Sequence, residues 1–332
     1  MKLKLLCLLF FALTLNTYSQ NETKFEPSGN PTLRIFGNFH TGLTAADNNR
    51  LFEIEQAFLG YQYQMSPYWM AEVKIDIGSP ENESVYALVK RYAYFRNAYI
   101  RYKKNGFSID AGIVGMTHFK VQESFWGNRY LMKSFADEYK FGKSVDMGIV
   151  ANYQFNKKLS IDMSIVNGEG YSQLQADNYF EYTLGTTIKI PENLTTRLYV
   201  NFGPSEKKTK MVYAAFVGYQ ITSNLSLGAE YNLLTNYKYL EGRNQTGYSV
   251  YSTYKIDSNW KVYGRYDILE SNVLTDSSTP WNLSADGSAA IAGIERKVNN
   301  NLKFSLNYRD WYPKAANMNN KAYIYLNMEF KL

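Results

Sequence analysis

His40 and His118 are the two imidazoles of this chain, and Cys7 is its one thiol. Neither histidine sits in a His-Glu-x-x-His helix, and there is no nucleophile elbow and no phosphate-cradling glycine loop. An enzyme is therefore not expected, and lone histidines of this kind are expected to be solvated near a rim. The groups that can act on a solute are fixed charges. A strand turns successive side chains to opposite faces, so charges two residues apart share one face. On the polar parity lie Arg34, Lys74, Arg101, Lys189, Arg197, Lys255, Lys261, Arg265, Lys297, Lys303, Arg309 and Lys331. Against them stand Glu72, Asp76, Asp110, Asp146, Asp162, Glu181, Glu230, Asp267, Glu295 and Glu329. The two sets nearly cancel, so many are expected to pair across neighbouring strands. A second concentration lies in 117–144, with Lys120, Glu123, Arg129, Lys133, Asp137, Glu138, Lys140 and Lys143, five cations to three anions. Phe119, Phe125, Trp126, Tyr130, Phe135 and Tyr139 in the same stretch can anchor it against a wall.

The elements that would position these charges are strands. Residues 69–77 set Trp69, Ala71, Val73, Ile75 and Ile77 against Glu72, Lys74 and Asp76; 302–309 set Leu302, Phe304, Leu306 and Tyr308 against Lys303, Ser305, Asn307 and Arg309. The last ten residues alternate Ile324, Leu326, Met328, Phe330 and Leu332 with Tyr323, Tyr325, Asn327, Glu329 and Lys331. An unpaired edge there would be a hazard, and pairing with the first strand removes it. Tight turns are read at Met65-Ser66-Pro67, Lys103-Lys104-Asn105-Gly106, Asn156-Lys157-Lys158, Pro191-Glu192-Asn193, Thr222-Ser223-Asn224, Asp257-Ser258-Asn259 and Asn299-Asn300-Asn301. Longer connections are read at 42–50, 78–91, 117–144, 167–178, 203–209, 236–245, 271–287 and 313–321. Seven turns and eight loops make about 16 strands. Short turns at one end and long loops at the other mark a transmembrane antiparallel up-and-down β-barrel, all-β, with periplasmic turns and extracellular loops. Residues 51–64 change phase near Gln56, and 210–221 and 288–298 fit either phase. A bulge is one explanation.

Composition agrees. Mean hydropathy is -0.38, yet 16% of residues are aromatic, 30 of them tyrosine. Alternate burial in lipid and aromatic girdles produce both values. Met1–Gln20 carries Lys2 and Lys4, an apolar run from Leu5 to Leu15, then small residues such as Thr17 and Ser19. This is the order of a secretory signal. The expected division is 1–19 signal peptide, 20–30 short segment and 31–332 barrel, with localisation in the cell outer membrane. Loss of the two lysines takes the formal charge from +6 to +4. That is too mild for a nucleic-acid partner. No thiolate metal site or disulfide survives removal of Cys7, and neither a cofactor nor a metal is expected.

The terminal strand resembles that of Gram-negative outer-membrane barrels. The whole chain resembles the phosphate-selective porin O/P family, through the signal, the sixteen-strand beat and two phrases. These are Lys133-Ser134-Phe135-Ala136-Asp137-Glu138-Tyr139, with Gly142 after it, and Val166-Asn167-Gly168-Glu169-Gly170-Tyr171. The resemblance implies an outer-membrane porin and a homotrimer. It also implies that the loop at 117–144 folds inward as a pore constriction. Sixteen strands leave an aqueous channel, so passive diffusion of small hydrophilic solutes or ions is expected, with the lipid bilayer as the other partner. No uncompensated basic ladder is visible, so only a mild anion preference is expected. Tyr199, Tyr251, Tyr263, Tyr323 and Tyr325 share the polar parity and could form a slide for sugars or simply fill the wall. The alternative is a non-conducting structural or secretion-associated barrel, whose sign would be a lumen filled by large apolar groups.

Overall fold

The computed structural model describes residues 25–45, 47–78, 92–171, 173–190 and 193–332. The export segment read at 1–19, residues 20–24, the connection 79–91 and the turn residues 191–192 lie outside them. Sixteen strands follow one another: β1 (Ser28–Gly42), β2 (Arg50–Gln64), β3 (Trp69–Gly78), β4 (Tyr92–Lys104), β5 (Phe107–Gly115), β6 (Val145–Gln154), β7 (Leu159–Val166) and β8 (Glu181–Lys189). Then come β9 (Leu194–Gly203), β10 (Lys210–Gln220), β11 (Leu225–Thr235), β12 (Gln245–Lys255), β13 (Trp260–Ser271), β14 (Gly287–Lys297), β15 (Leu302–Pro313) and β16 (Lys321–Lys331). Each is antiparallel to its chain neighbour, and β16 closes the barrel on β1. The closing register runs from Arg34 against Lys331 to Gly42 against Tyr323, so the terminal strand has its edge fully used. The wall begins earlier than position 31, since Ser28 already pairs with Gln64.

Closure converts the alternation into an inside and an outside. Val73, Ile149 and Leu306 are 47%, 47% and 53% exposed, while Glu72, Asp76, Asn307 and Asn327 are buried. An apolar face turned outward and a polar face turned inward is the arrangement of a barrel in lipid. Among the described residues no helix is long and apolar enough to cross a membrane; the strands cross it.

The ambiguous segments have distinct physical causes. The β1–β2 register passes from Phe36 opposite Gln56 to Gly37 opposite Ile54, leaving Glu55 as a bulge that puts two successive side chains inward. The β3–β4 register skips Arg96 in the same way, between Asn97 and Phe95. In β10 and β14 there is no bulge. Their inward positions Val212, Phe216 and Ile291 are apolar because another part of the chain packs on them from inside. Val150 is a further departure. It points inward but sits in a dry cluster with Tyr99, Val114, Met116 and Val166, so it is not a water-facing position that would accept a polar group.

Arg in place of Val73, Ile149 or Leu306 is expected to cost about 2–4 kcal/mol near the bilayer midplane. Lys74→Gln and Asn307→Asp, on the opposite parity, are expected to cost much less. Denaturant titrations in lipid vesicles measure both sets, and equal losses on the two parities would refute the facing. The folded chain is also expected to run faster on a gel unheated than boiled, and to fractionate with the outer membrane.

Candidate functional site

The connection from Met116 to Ser144, between β5 and β6, runs into the barrel. The backbone N–H of Met116 donates to the Ser144 carbonyl at 2.9 Å, closing the base of the loop. Inside lie two short helices, α1 (Lys120–Trp126) and α2 (Phe135–Glu138). Gly127 ends α1 in the left-handed region (φ 67°), with its N–H on the Glu123 carbonyl at 2.9 Å. Phe119, Trp126, Tyr130, Leu131, Phe135 and Phe141 are all buried. Trp126, Tyr130 and Leu131 pack with Phe36, Phe58, Phe216, Tyr251, Tyr263 and Ile291, from β1, β2, β10, β12, β13 and β14. The wall makes room where a larger residue could not fit: a Cβ at Gly218 would strike the Phe125 ring, and one at Gly247 the Phe135 ring.

Polar contacts latch the loop as well. Arg197 on β9 spends its fork on Asp162 (2.7 and 2.9 Å), on Thr187 (2.9 Å) and on the carbonyls of Thr117 (2.9 Å) and His118 (3.2 Å). Arg265 on β13 holds Asp267 at 2.8 and 2.6 Å and donates to the Lys133 carbonyl at 2.5 Å. Lys261 donates to Asn128 at 2.7 Å, and Tyr130 donates to Glu295 at 2.7 Å. Each contact supplies a partner to a buried or half-buried polar group.

The eight loop charges therefore have different surroundings. Arg129 bridges Glu123 and Asp137, bonding the latter at 2.7 Å, and braces α1 against α2. The Lys120 ammonium donates to the Gly115 carbonyl at 2.9 Å. Lys133 and Lys143 are half-buried and form no ion pair with another described residue; burial pushes the Lys143 ammonium below its usual range, with Glu181 opposing. Glu138 and Lys140 are exposed. Seven of the eight wall cations are paired. Arg34 holds Glu329, Lys74 holds Glu72 at 2.8 Å, and Arg101 grips Asp110 at 2.6 Å through two bonds. Lys261 lies 3.1 Å from Glu295, and Lys303 bridges Glu295 (3.4 Å) and Glu329 (2.7 Å). Arg197 and Arg265 make the pairs given above. Among the described residues Arg309 alone of the eight has no carboxylate at that distance; it bonds Asn307 and Asn327 and lies over Tyr325.

Neither histidine is solvated, contrary to the expectation from sequence. His118 is buried, stacked on Tyr199 at 4.3 Å and 8°. Burial, with the Arg197 guanidinium nearby, pushes its pKa down to about 3, so the ring is neutral. His40 is buried against Tyr325 and bonds Asn38 at 2.7 Å. Tyr199, Tyr251 and Tyr263 are likewise buried beneath the loop, so they are its seat and not an open slide. Sequence reasoning missed Arg96, which faces inward and bonds Asp76 at 2.9 Å. Its signal was Arg96-Asn97, two polar residues in succession where the alternation allows one.

Two chambers flank the loop. The one at the long-loop end is about 1970 Å³ and reaches down to Arg129, Leu131 and Lys133. Its lining among the described residues holds eight cations and eight anions. Glu53, Glu55 and Glu138 line it without an ion pair to any described residue. The chamber at the short-turn end is about 670 Å³ and is roofed by Lys120, Val121, Ser124 and Phe125 of α1. The loop thus lies between two water-accessible spaces in one closed barrel.

Comparison with known proteins agrees with this architecture. Solved structures with the same fold include OprB of Pseudomonas putida (TM-score 0.71, 13% identity, 92% of this chain and 94% of that one). They include OmpF of Salmonella typhi in complex with daunomycin (0.67, 13%, 92% and 97%). An anion-selective porin from Comamonas acidovorans also matches (0.65, 8%, 92% and 100%). At these identities the likeness is one of fold. No curated protein matches the sequence. The family model described as "Putative beta-barrel porin-2, OmpL-like" matches residues 16–309, and the chain belongs to that family of outer-membrane porins.

Proposed function

We propose that the chain is a passive diffusion channel of the outer membrane, delivered there by the segment 1–19 and assembled as a homotrimer. The observation that carries this reading is the loop held across the lumen between two open chambers. A loop so placed restricts passage without being part of the hydrogen-bonded wall. The balanced lining of the larger chamber supports broad admission of small hydrophilic solutes, with a mild preference for anions as the only bias. Selectivity for phosphate has no support in a wall where seven of the eight cations described above are paired. Ion preference in a pore follows charges that are not neutralised locally, and in the loop these include Lys133 and Lys143, with Glu138 opposing them in the larger chamber.

One observation favours a non-conducting barrel: the apolar cluster of Trp126, Tyr130 and Leu131 against six wall residues fills part of the lumen. Planar-bilayer recording separates the readings. Deleting 127–133 is expected to raise single-channel conductance and admit larger solutes while the strands still fold, because each wall bond is strand to strand. Unchanged conductance would remove the loop from the pathway. Absence of current before and after the deletion would establish the non-conducting barrel. Lys133→Glu combined with Lys143→Glu is expected to shift the reversal potential towards cations. Arg129→Glu is expected to loosen the loop instead, since it breaks the brace between α1 and α2.

A further inference from the structure

The smaller chamber has a composition unlike the rest of the lumen. Five lysines line it: Lys103 at the end of β4, Lys120 on α1, Lys157 and Lys158 in the β6–β7 turn, and Lys189 at the end of β8. Among the described residues no carboxylate lines it. All five side chains are exposed, and none forms an ion pair with another described residue. The carboxylates above them are already committed, Asp110 to Arg101 and Asp162 to Arg197. The remaining lining is uncharged, with Val121, Phe125 and Leu159 as apolar members and Ser108, Asn152, Gln154, Ser160, Thr187 and Thr195 offering donors.

We propose that this turn-end chamber is an anion-collecting vestibule, which concentrates small oxyanions and carboxylates beneath the loop. The inference rests on the channel reading above and moves the main source of ion preference from the loop to the short turns. Like charges around a concave, low-dielectric wall focus their field and raise the local counter-ion concentration, and salt weakens the effect. The long-loop chamber, with equal numbers of both signs, does not do this. The vestibule therefore makes the two ends of the pore electrically unequal.

A test that does not need current uses a thiol as local probe. Cys7 is the chain's one cysteine and lies in the proposed signal, so Ser160→Cys would place a single thiol on the chamber wall. Its rates of modification by anionic sulfonatoethyl and cationic trimethylammonioethyl methanethiosulfonate are compared in folded, detergent-solubilised protein. The anionic reagent is expected to gain about tenfold over the cationic one, relative to a free thiol. The gain is expected to vanish at high salt and to invert in Lys157→Glu/Lys158→Glu/Lys189→Glu. These turn and strand-end residues are outside the loop's latch, and Lys158→Gln with Lys189→Gln serves if the triple variant does not fold. A ratio equal to that of the free thiol, or one indifferent to the lysine changes, overturns the vestibule. A protein that shows the ratio but carries no current keeps the vestibule's electrostatics and loses the channel.

Discussion

The Arg197 guanidinium organises the interior more than any other group. It is fully buried, and all its bonding capacity is used at once: a carboxylate on β7, a hydroxyl on β8 and two carbonyls at the entrance of the inward loop. Arg suits this position because its planar fork can satisfy several acceptors in fixed directions. The loop, for its part, brings carbonyls into a lumen wall where they need donors. Without Arg197, Asp162 would be left buried and unpaired, which is costly, and the two carbonyls would keep only the long bonds from the Lys120 N–H and the Gln122 amide, 3.4 Å each. Arg265 repeats the device farther along the loop, and its guanidinium also lies over Trp126. Charge, aromatic packing and loop path are therefore coupled.

This coupling decides what the wall charges do. A lumen rich in Lys and Arg looks, residue by residue, like a selectivity device. With partners assigned, it is mostly a neutralised scaffold on which the loop rests. A bidentate pair such as Arg101 with Asp110 presents little net field to a passing ion. The field comes from groups left over: Lys133, Lys143 and Arg309, the carboxylates Glu53, Glu55 and Glu138, and the lysines of the short turns. Most lie in loops, turns or at strand ends, whereas Glu53, Glu55 and Arg309 lie within β2 and β15 and have no oppositely charged residue set across from them.

The wall was largely legible in the sequence because it obeys one rule, alternation, over and over. The terminal strand, the loop positions and the facing of β3, β6, β7, β13 and β15 follow from that rule alone. The rule failed where a second constraint acted. At Glu55 and Arg96 a bulge reset the phase. In β10 and β14 the inward face is greasy because the loop is its neighbour, and no local pattern can reveal a neighbour about 80 to 170 residues away. The same distance hid the latch. Tyr130 meets Glu295 and Arg197 meets His118 only after the barrel has closed. His118, read as a rim residue, is buried for this reason.

Two kinds of constraint thus act on one chain at different strengths. Each outward wall position needs only an apolar side chain of the right parity, and many residues meet that need. This accounts for a fold shared with other porins at 8–13% identity. The seat of the loop is stricter: it requires small residues at Gly218 and Gly247, forks at Arg197 and Arg265, and rings at Tyr199, Tyr251 and Tyr263. The lysines of the short turns, by contrast, are held by neither wall nor seat. Lysines in two- to four-residue turns can change without disturbing a single strand bond. Ion preference is then the property of this architecture most easily altered by substitution, while the barrel and the path of its loop stay as they are.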